Sequence, residues 1–248
     1  MRSILITGAS DGIGAQIARH AAAAGYEVGL GYRSNEPAAQ AVAAEITAQG
    51  RNVVLLKGDV AEPDAVARIF ASHRDAFGAP SVVVNNAGVV PPRGRALADA
   101  DPAEIARVVG VNVTGALYVA REAARAMSIA KGGTGGVLLN ISSVAARTGS
   151  AGEYVDYAAT KAAIDTMTLG LAHEHARDGI RVVGIRPGVI DTAIHAKGGA
   201  PDRAARLAHA IPAGRAGTVA EIADVAMFLI SDAASYVTGS IIDVSGGR

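Results

Sequence analysis

The stretch Ile4-Leu5-Ile6-Thr7-Gly8-Ala9-Ser10-Asp11-Gly12-Ile13-Gly14 decides how the rest of the chain is read. Its aliphatic opening shows no polar alternation, which marks a strand buried on both faces. Glycines then follow at Gly-x-x-x-Gly-x-Gly spacing, and helical periodicity begins at residue 12. Glycine adopts backbone angles and permits close approaches that other residues forbid. A strand that turns so sharply into a helix leaves the first helical N–H groups, and the partial positive charge of that end, facing outward. Such an end suits a pyrophosphate. Alone, the spacing is also that of an ordinary glycine-rich turn. Its place directly after the first strand favours phosphate binding.

Outward from this turn, short aliphatic runs alternate with longer alanine-rich stretches. Strands are expected over 3–7, 27–32, 52–57, 81–85, 136–141, 180–186 and 240–244. Helices are expected over 12–24, 36–49, 62–77, 101–130, 154–177, 200–209 and 218–230. Strands separated by helices imply crossover connections, hence a parallel sheet covered on both faces. The run Gly132-Gly133-Thr134-Gly135-Gly136 is short enough to be a helix-to-strand loop, and no composition break divides the chain. The expectation is an α/β chain forming one doubly wound parallel sheet over residues 1–248, a Rossmann fold with helices on both faces. Its ligand site should open at the carboxyl ends of the strands, where strand order reverses.

Composition removes several classes of function. Lys plus Arg number 23 and so do Asp plus Glu, leaving no net charge to draw nucleic acid or an anionic membrane. No nucleic-acid or membrane partner is expected. Without cysteine there can be no disulfide, thiolate metal site or cysteine nucleophile. Met1-Arg2-Ser3 runs straight into strand-like sequence, and no apolar run approaches the roughly 20 residues that span a bilayer. A cytoplasmic protein is expected. His173-Glu174-His175 has a metal-like look, yet residues two apart on a helix do not share a face. No catalytic metal is expected.

Other candidates stand at strand ends. Asp59-Val60 follows the third strand, where a carboxylate could accept from an adenine amino group or cap a helix. Asn85-Asn86-Ala87-Gly88 follows the fourth, with small residues that let a ribose and nicotinamide pass close to the backbone. Asn140-Ile141-Ser142-Ser143 closes the fifth and supplies a hydroxyl. Tyr157 and Lys161, four apart on a helix, project from one face. A neighbouring cation favours phenolate and draws a tyrosine toward acid/base work at neutral pH.

Taken in order, Thr7–Gly14, Asp59, Asn85–Gly88, Asn112, Ser143, Tyr157 with Lys161, and Pro187-Gly188 resemble the short-chain dehydrogenase/reductase family over essentially the whole chain. The closing segment from Ser231 to Gly239, then Asp243-Val244-Ser245-Gly246-Gly247, is similar to the ketoacyl-carrier-protein reductase and glucose dehydrogenase branches. The resemblance implies an NAD(P)-dependent oxidoreductase that moves a hydride between a nicotinamide and an alcohol/carbonyl pair. It implies a tetrad in which Ser143, rather than Ser142, polarises the substrate oxygen and Tyr157 handles its proton. Lys161 would hold the ribose hydroxyls, and Asn112 would bend the long helix and place a relay water. Cofactor contacts would come from Gly8, Ser10, Asp11, Gly12, Ile13, Gly14, Arg33, Ser34, Asp59, Val60, Asn86, Ala87, Gly88, Tyr157, Lys161, Pro187, Gly188, Ile190 and Thr192. Substrate contacts would come from Ser143, Arg147, Tyr154, Tyr157, Val189 and His195, under a short lid around 193–211.

The second strand ends Gly31-Tyr32-Arg33-Ser34, with a guanidinium where NAD enzymes usually carry a carboxylate. A forked cation suits the 2′-phosphate of NADP, although Asp11 stands where many NADP-preferring relatives have a basic residue. NADP is the expected cofactor, with NAD as the alternative. The substrate is expected to be a small alcohol or carbonyl compound. The Ser143-to-Tyr157 spacing is one residue longer than in ketoacyl reductases, which argues against fatty-acid elongation. A non-catalytic dinucleotide-binding sensor on the same fold is the rival, although such proteins tend to lose the tyrosine or lysine. Long apolar helices and the apolar last strand resemble surfaces that build homotetramers.

Overall fold

In the computed structural model, which describes residues 2–92, 94–191 and 207–248, the side chains of the first strand part to opposite faces. This strand, β1 (Ser3–Ile6), sends Ile4 and Ile6 into one apolar cluster and Leu5 into another. Val82 and Val84 against Val83 in β4 (Val82–Asn85) repeat the division, as do Val137 and Leu139 against Leu138 in β5 (Gly136–Ile141). Two-sided burial of this kind needs a cover on each face, and the intervening helices supply it.

One layer consists of α1 (Gly12–Ala23), α2 (Glu36–Ala48) and α8 (Val219–Ile230), packed through Ile17, Ala21, Val42, Ile46, Ile222 and Leu229. The other consists of α3 (Pro63–Phe77), α5 (Ala116–Met127) and α7 (Val155–His175), reaching the sheet through Ile69, Phe70, Val119, Ala123, Met127 and Ala172. The remaining strands are β2 (Glu27–Tyr32), β3 (Val53–Lys57), β6 (Ile180–Pro187) and β7 (Ile241–Val244). All seven are parallel, in the order β3-β2-β1-β4-β5-β6-β7. Successive crossovers run one way from β1 to β3 and the other way from β4 onward. Between β1 and β4 the helices depart to opposite sides and leave a crevice above the strand ends.

Two expected elements need correction. The helix read over 101–130 is α4 (Pro102–Val109), a π-helical turn (Gly110–Gly115) and α5, ending at Met127. The π turn adds a residue without breaking the apolar stripe, so periodicity alone does not disclose it. By length and composition the run Pro102–Met127 could cross a bilayer, but Val119, Ala120, Ala123 and Met127 place it against the sheet as a core helix. A short α6 (Ala145–Thr148) was not anticipated. The helix expected over 200–209 falls mainly outside the described residues, as does most of the lid expected over 193–211.

Candidate active site

Thr7 and Asn86 tie the ends of β1 and β4 together. Thr7 Oγ1 accepts the N–H groups of Asn86 and Ala87 at 3.1 and 3.0 Å. Asn86 Nδ2 donates to the carbonyls of Thr7 and Gly8, each at 2.9 Å. The approach is so close that a Cβ on Gly8 would lie 2.9 Å from Ala87 Cα. One on Gly14 would lie 2.5 Å from both Asn86 Nδ2 and the Gly8 carbonyl oxygen. Gly8 also has φ +64°, in the left-handed region. At the start of α1 the Asp11 side chain makes no capping hydrogen bond to the helix. Backbone N–H groups and bare glycine surface thus form a cradle that any side chain would fill, which fits the pyrophosphate of a dinucleotide.

From this cradle a cleft of about 550 Å³ runs both ways across the sheet end. Toward β2 and β3 it is lined by Ser10, Gly12, Ile13, Arg33, Ser34, Asp59 and Val60. Arg33 Nη1 stands 3.4 Å from Asp59 Oδ2, while Asp59 Oδ1 accepts the Ala61 N–H at 3.0 Å. Toward β5 and β6 the lining includes Ala87, Gly88, Ser143, Tyr154, Tyr157, Lys161, Pro187, Gly188 and Ile190.

Tyr157 and Lys161 sit near the start of α7 with the Lys161 Nζ 5.7 Å from the centre of the phenol ring. Lys161 is 6% exposed, and its ammonium donates to the Ile141 carbonyl at 2.8 Å. Burial pushes its pKa down to about 8, opposed by the Asp165 carboxylate one turn along. Ser142 Oγ donates to the Lys161 carbonyl at 3.1 Å and is buried. Ser143 Oγ instead accepts the Ala145 N–H at 3.1 Å, which leaves its proton free to point into the cleft. A Cβ on Gly88 would lie 3.4 Å from Asn112 Oδ1 and 3.6 Å from Lys161 Nζ, so those two groups flank one small space. Tyr154 stacks edge-on against Tyr157 with centroids 5.1 Å apart.

A family model described as enoyl-(acyl carrier protein) reductase matches residues 8–248. An uncharacterized oxidoreductase of Escherichia coli, YgfF, is 44% identical over all of both chains. An L-rhamnose 1-dehydrogenase (NAD(P)(+)) of Sphingomonas is 36% identical over 99% of this chain and 95% of its own. The crystal structure of a 3-ketoacyl-(acyl-carrier-protein) reductase from Brucella melitensis, complexed with NADH, superimposes with TM-score 0.90 at 30% identity, covering 100% of this chain and 98% of that one.

The chain belongs to the short-chain dehydrogenase/reductase family. It is an NAD(P)-dependent enzyme of the kind that acts on alcohol and carbonyl groups.

Not every expected site residue of this family member reaches the cleft. Arg147 turns toward β7 and pairs with Asp243, drawn there by a carboxylate that also serves Arg186. Val189 packs with Ile211, Leu207 and Ala216 in a separate apolar cluster. Thr192 and His195 lie outside the described residues. His175 pairs with Asp178 at 3.1 Å, and among the described residues no group of acidic or histidine side chains could hold a metal. Val90, Arg107 and Val111 line the cleft without having been foreseen. The i, i+4 spacing of Arg107 and Val111 was the available signal for a shared face. Thr160 was also missed: its Oγ1 donates to the Tyr157 carbonyl at 2.7 Å and accepts from Asn112 Nδ2 at 3.2 Å.

Proposed function

We propose that this short-chain dehydrogenase/reductase interconverts a small alcohol and its carbonyl with Tyr157 as the proton donor and acceptor. The observation that carries this is the meeting of the Tyr157 phenol, the buried Lys161 ammonium and the Ser143 hydroxyl in one cleft beside a dinucleotide cradle. Ser143 Oγ–H holds the substrate oxygen and polarises it. The Tyr157 phenol delivers a proton to that oxygen in reduction and withdraws it in oxidation. Lys161 binds ribose hydroxyls and favours phenolate by its charge. Asn112, wedged beside Gly88, keeps the space between itself and Lys161 open to a relay water. A bound nicotinamide supplies or takes up the hydride, and the protein orients it.

Arg33 lies at the adenosine end of the cleft, where its forked donors suit a 2′-phosphate, and NADP(H) is the preferred coenzyme on that ground. Residues 1–248 act as one nucleotide-binding domain, in the cytoplasm. A homotetramer is favoured by exposed apolar side chains on the helices and the last strand, namely Val109, Leu117, Leu169, Phe228 and Ile242. Solution light scattering checks the tetramer.

The experiment for the reaction is NADPH and NADH consumption against a panel of aldehydes and ketones, with Tyr157→Phe as control. Removal of a positioned proton donor should slow turnover by ~10²–10⁴-fold while leaving nucleotide affinity close to the parent's. An undiminished rate in Tyr157→Phe removes the assignment.

A further inference from the structure

We propose that Thr160 is a positioning residue for Asn112: its hydroxyl ties the Asn112 amide to α7 and leaves the amide oxygen, not the amide nitrogen, facing the space beside Lys161. The proposal deepens the reaction given above, in which Asn112 and Lys161 border a relay water, and its effect on rate rests on that reading. Its effect on the Asn112 amide is independent of turnover.

Thr160 precedes Lys161 on α7 and is 2% exposed, as is Asn112. A hydroxyl carries one proton and two lone pairs. The Tyr157 carbonyl can only accept, so at 2.7 Å it takes the Thr160 proton. Asn112 Nδ2 can only donate, so at 3.2 Å it takes a lone pair. Each neighbour thus forces the direction of the other's bond. A bond back to the preceding turn is open to any helical threonine. What is particular to Thr160 is its second partner, which stands on the π turn between α4 and α5.

The remaining contacts of the amide complete the count. Nδ2 donates its other proton to the Val89 carbonyl at 2.9 Å, and Oδ1 accepts the Val89 N–H at 2.8 Å. Both amide protons are thereby engaged, and Oδ1 keeps a second lone pair. A Cβ on Gly88 would meet Oδ1 at 3.4 Å and Lys161 Nζ at 3.6 Å, so both border the same space. Lys161 gives one of its three protons to the Ile141 carbonyl. An acceptor therefore faces a donor across the space, which suits a water or hydroxyl between them. Val89 fixes which way round the amide lies, but it belongs to the segment after β4. Thr160 joins the amide to the helix that carries Tyr157 and Lys161, and so sets where the oxygen stands relative to the ammonium.

Thr160→Val removes the hydroxyl at nearly constant volume, and Thr160→Ser retains it. ¹⁵N NMR of the intact protein without nucleotide reads the Asn112 side-chain amide, assigned by its loss in Asn112→Leu. In Thr160→Val one of the two Nδ2 protons should move upfield and exchange faster with solvent, whereas Thr160→Ser should keep the parent's signals. On the carbonyl panel Thr160→Val should lower kcat by roughly 10-fold or more, because small displacements of positioned groups slow the chemical step. KM for the nucleotide should stay close to the parent's, and Thr160→Ser should restore most of the rate. In an Asn112→Leu background Thr160→Val should have almost no further effect on kcat, a coupling that a general loosening of α7 would not produce. Asn112 amide signals in Thr160→Val that superimpose on the parent's overturn the proposal. So does a fall in kcat that is just as large in the Asn112→Leu background. Should Thr160→Val not fold, Thr160→Ala makes the same comparisons, and failure of both to fold would reduce the hydroxyl to an anchor of the fold and overturn the proposal as well. A parent inactive on every carbonyl, with the amide shift still present in Thr160→Val, would defeat the proposed reaction and leave the tie between Thr160 and Asn112 standing.

Discussion

Asn112 holds Val89 by both of its backbone groups: Oδ1 accepts the N–H at 2.8 Å and Nδ2 donates to the carbonyl at 2.9 Å. The side chain reaches out of the π turn between α4 and α5, at the point where the helical ladder is locally reorganised. The segment after β4 is thereby fixed to the long helix beside Lys161. Asn112→Leu keeps the volume and removes both bonds. The Val89 groups are only partly buried, so leaving them unpaired should cost less than the roughly 1–3 kcal/mol of a fully buried group, and chemical denaturation should show a loss of about 1 kcal/mol. Turnover should fall as well, because Val89 lines the cleft. A variant as stable as the parent would show that water replaces the amide without penalty.

Adjacent serines should separate cleanly. Ser142 spends its hydroxyl on the Lys161 carbonyl, whereas Ser143 accepts from Ala145 and lines the cleft. Ser142→Ala should cost about 1 kcal/mol of stability, the net worth of one hydrogen bond, with a modest change in rate. Ser143→Ala should leave unfolding almost unmoved and cut kcat by ~10²-fold or more, as expected for the loss of one donor to a developing oxyanion. Paired denaturation and steady-state measurements on the two variants check this. The reverse pattern would reassign the substrate oxygen to Ser142.

What could be read in the sequence, and what could not, follows the range of the interactions involved. Ile4-Leu5-Ile6 with the glycine turn disclosed the first strand and the helix that follows it, because both depend on neighbours in the chain, whereas the tie from Thr7 to Asn86 spans 79 residues and has no local signature. Tyr157 and Lys161 were equally visible, since helical geometry alone puts them together. Arg147 was misplaced because its partner Asp243 is 96 residues away, and no local pattern announces that pairing. Another distant pair, Arg95 with the buried Asp156 at 2.6 Å, was missed for the same reason. The π turn at Gly110–Gly115 was hidden because the apolar stripe continues through it. Val189 follows a strand end like its neighbours Gly188 and Ile190, but its side chain falls on the far side, onto Ile211.

His73 should make the fold sensitive to mild acid. It is fully buried on α3, with Nε2 against Ser3 Oγ at 3.1 Å and Nδ1 unpartnered among the described residues. Burial pushes its pKa down from 6.5 to about 4. The unfolded chain therefore takes up a proton below pH 6.5 that the folded chain refuses until about pH 4. Stability is lost as pH falls through that window, by on the order of 3 kcal/mol once it has been crossed. Urea midpoints for the parent and His73→Gln at pH 7 and pH 4.5 measure the difference. The variant should lose less than the parent on acidification, and equal losses would move the acid sensitivity to other groups.

Arg33 and Asp59 should set coenzyme preference in opposite directions. The guanidinium stands 3.4 Å from the carboxylate at the end of the cleft nearest β2 and β3, and both side chains are partly exposed. Binding a 2′-phosphate requires Arg33 to turn some of its donors from Asp59 to the phosphate. Exposed pairs of this kind are weak, contributing about 0–1 kcal/mol, so a dianionic phosphate should compete well. Arg33→Ser removes a charge-assisted contact of about 1.5–3 kcal/mol. The ratio of kcat/KM for NADPH over NADH should then fall by roughly 10- to 100-fold. Asp59→Asn releases the guanidinium and removes a repulsive charge, so the same ratio should rise. High salt should shrink both effects, because the groups are open to solvent. Equal losses with the two coenzymes in Arg33→Ser would instead make the arginine a brace between β2 and the exit of β3, with no part in choosing the nucleotide.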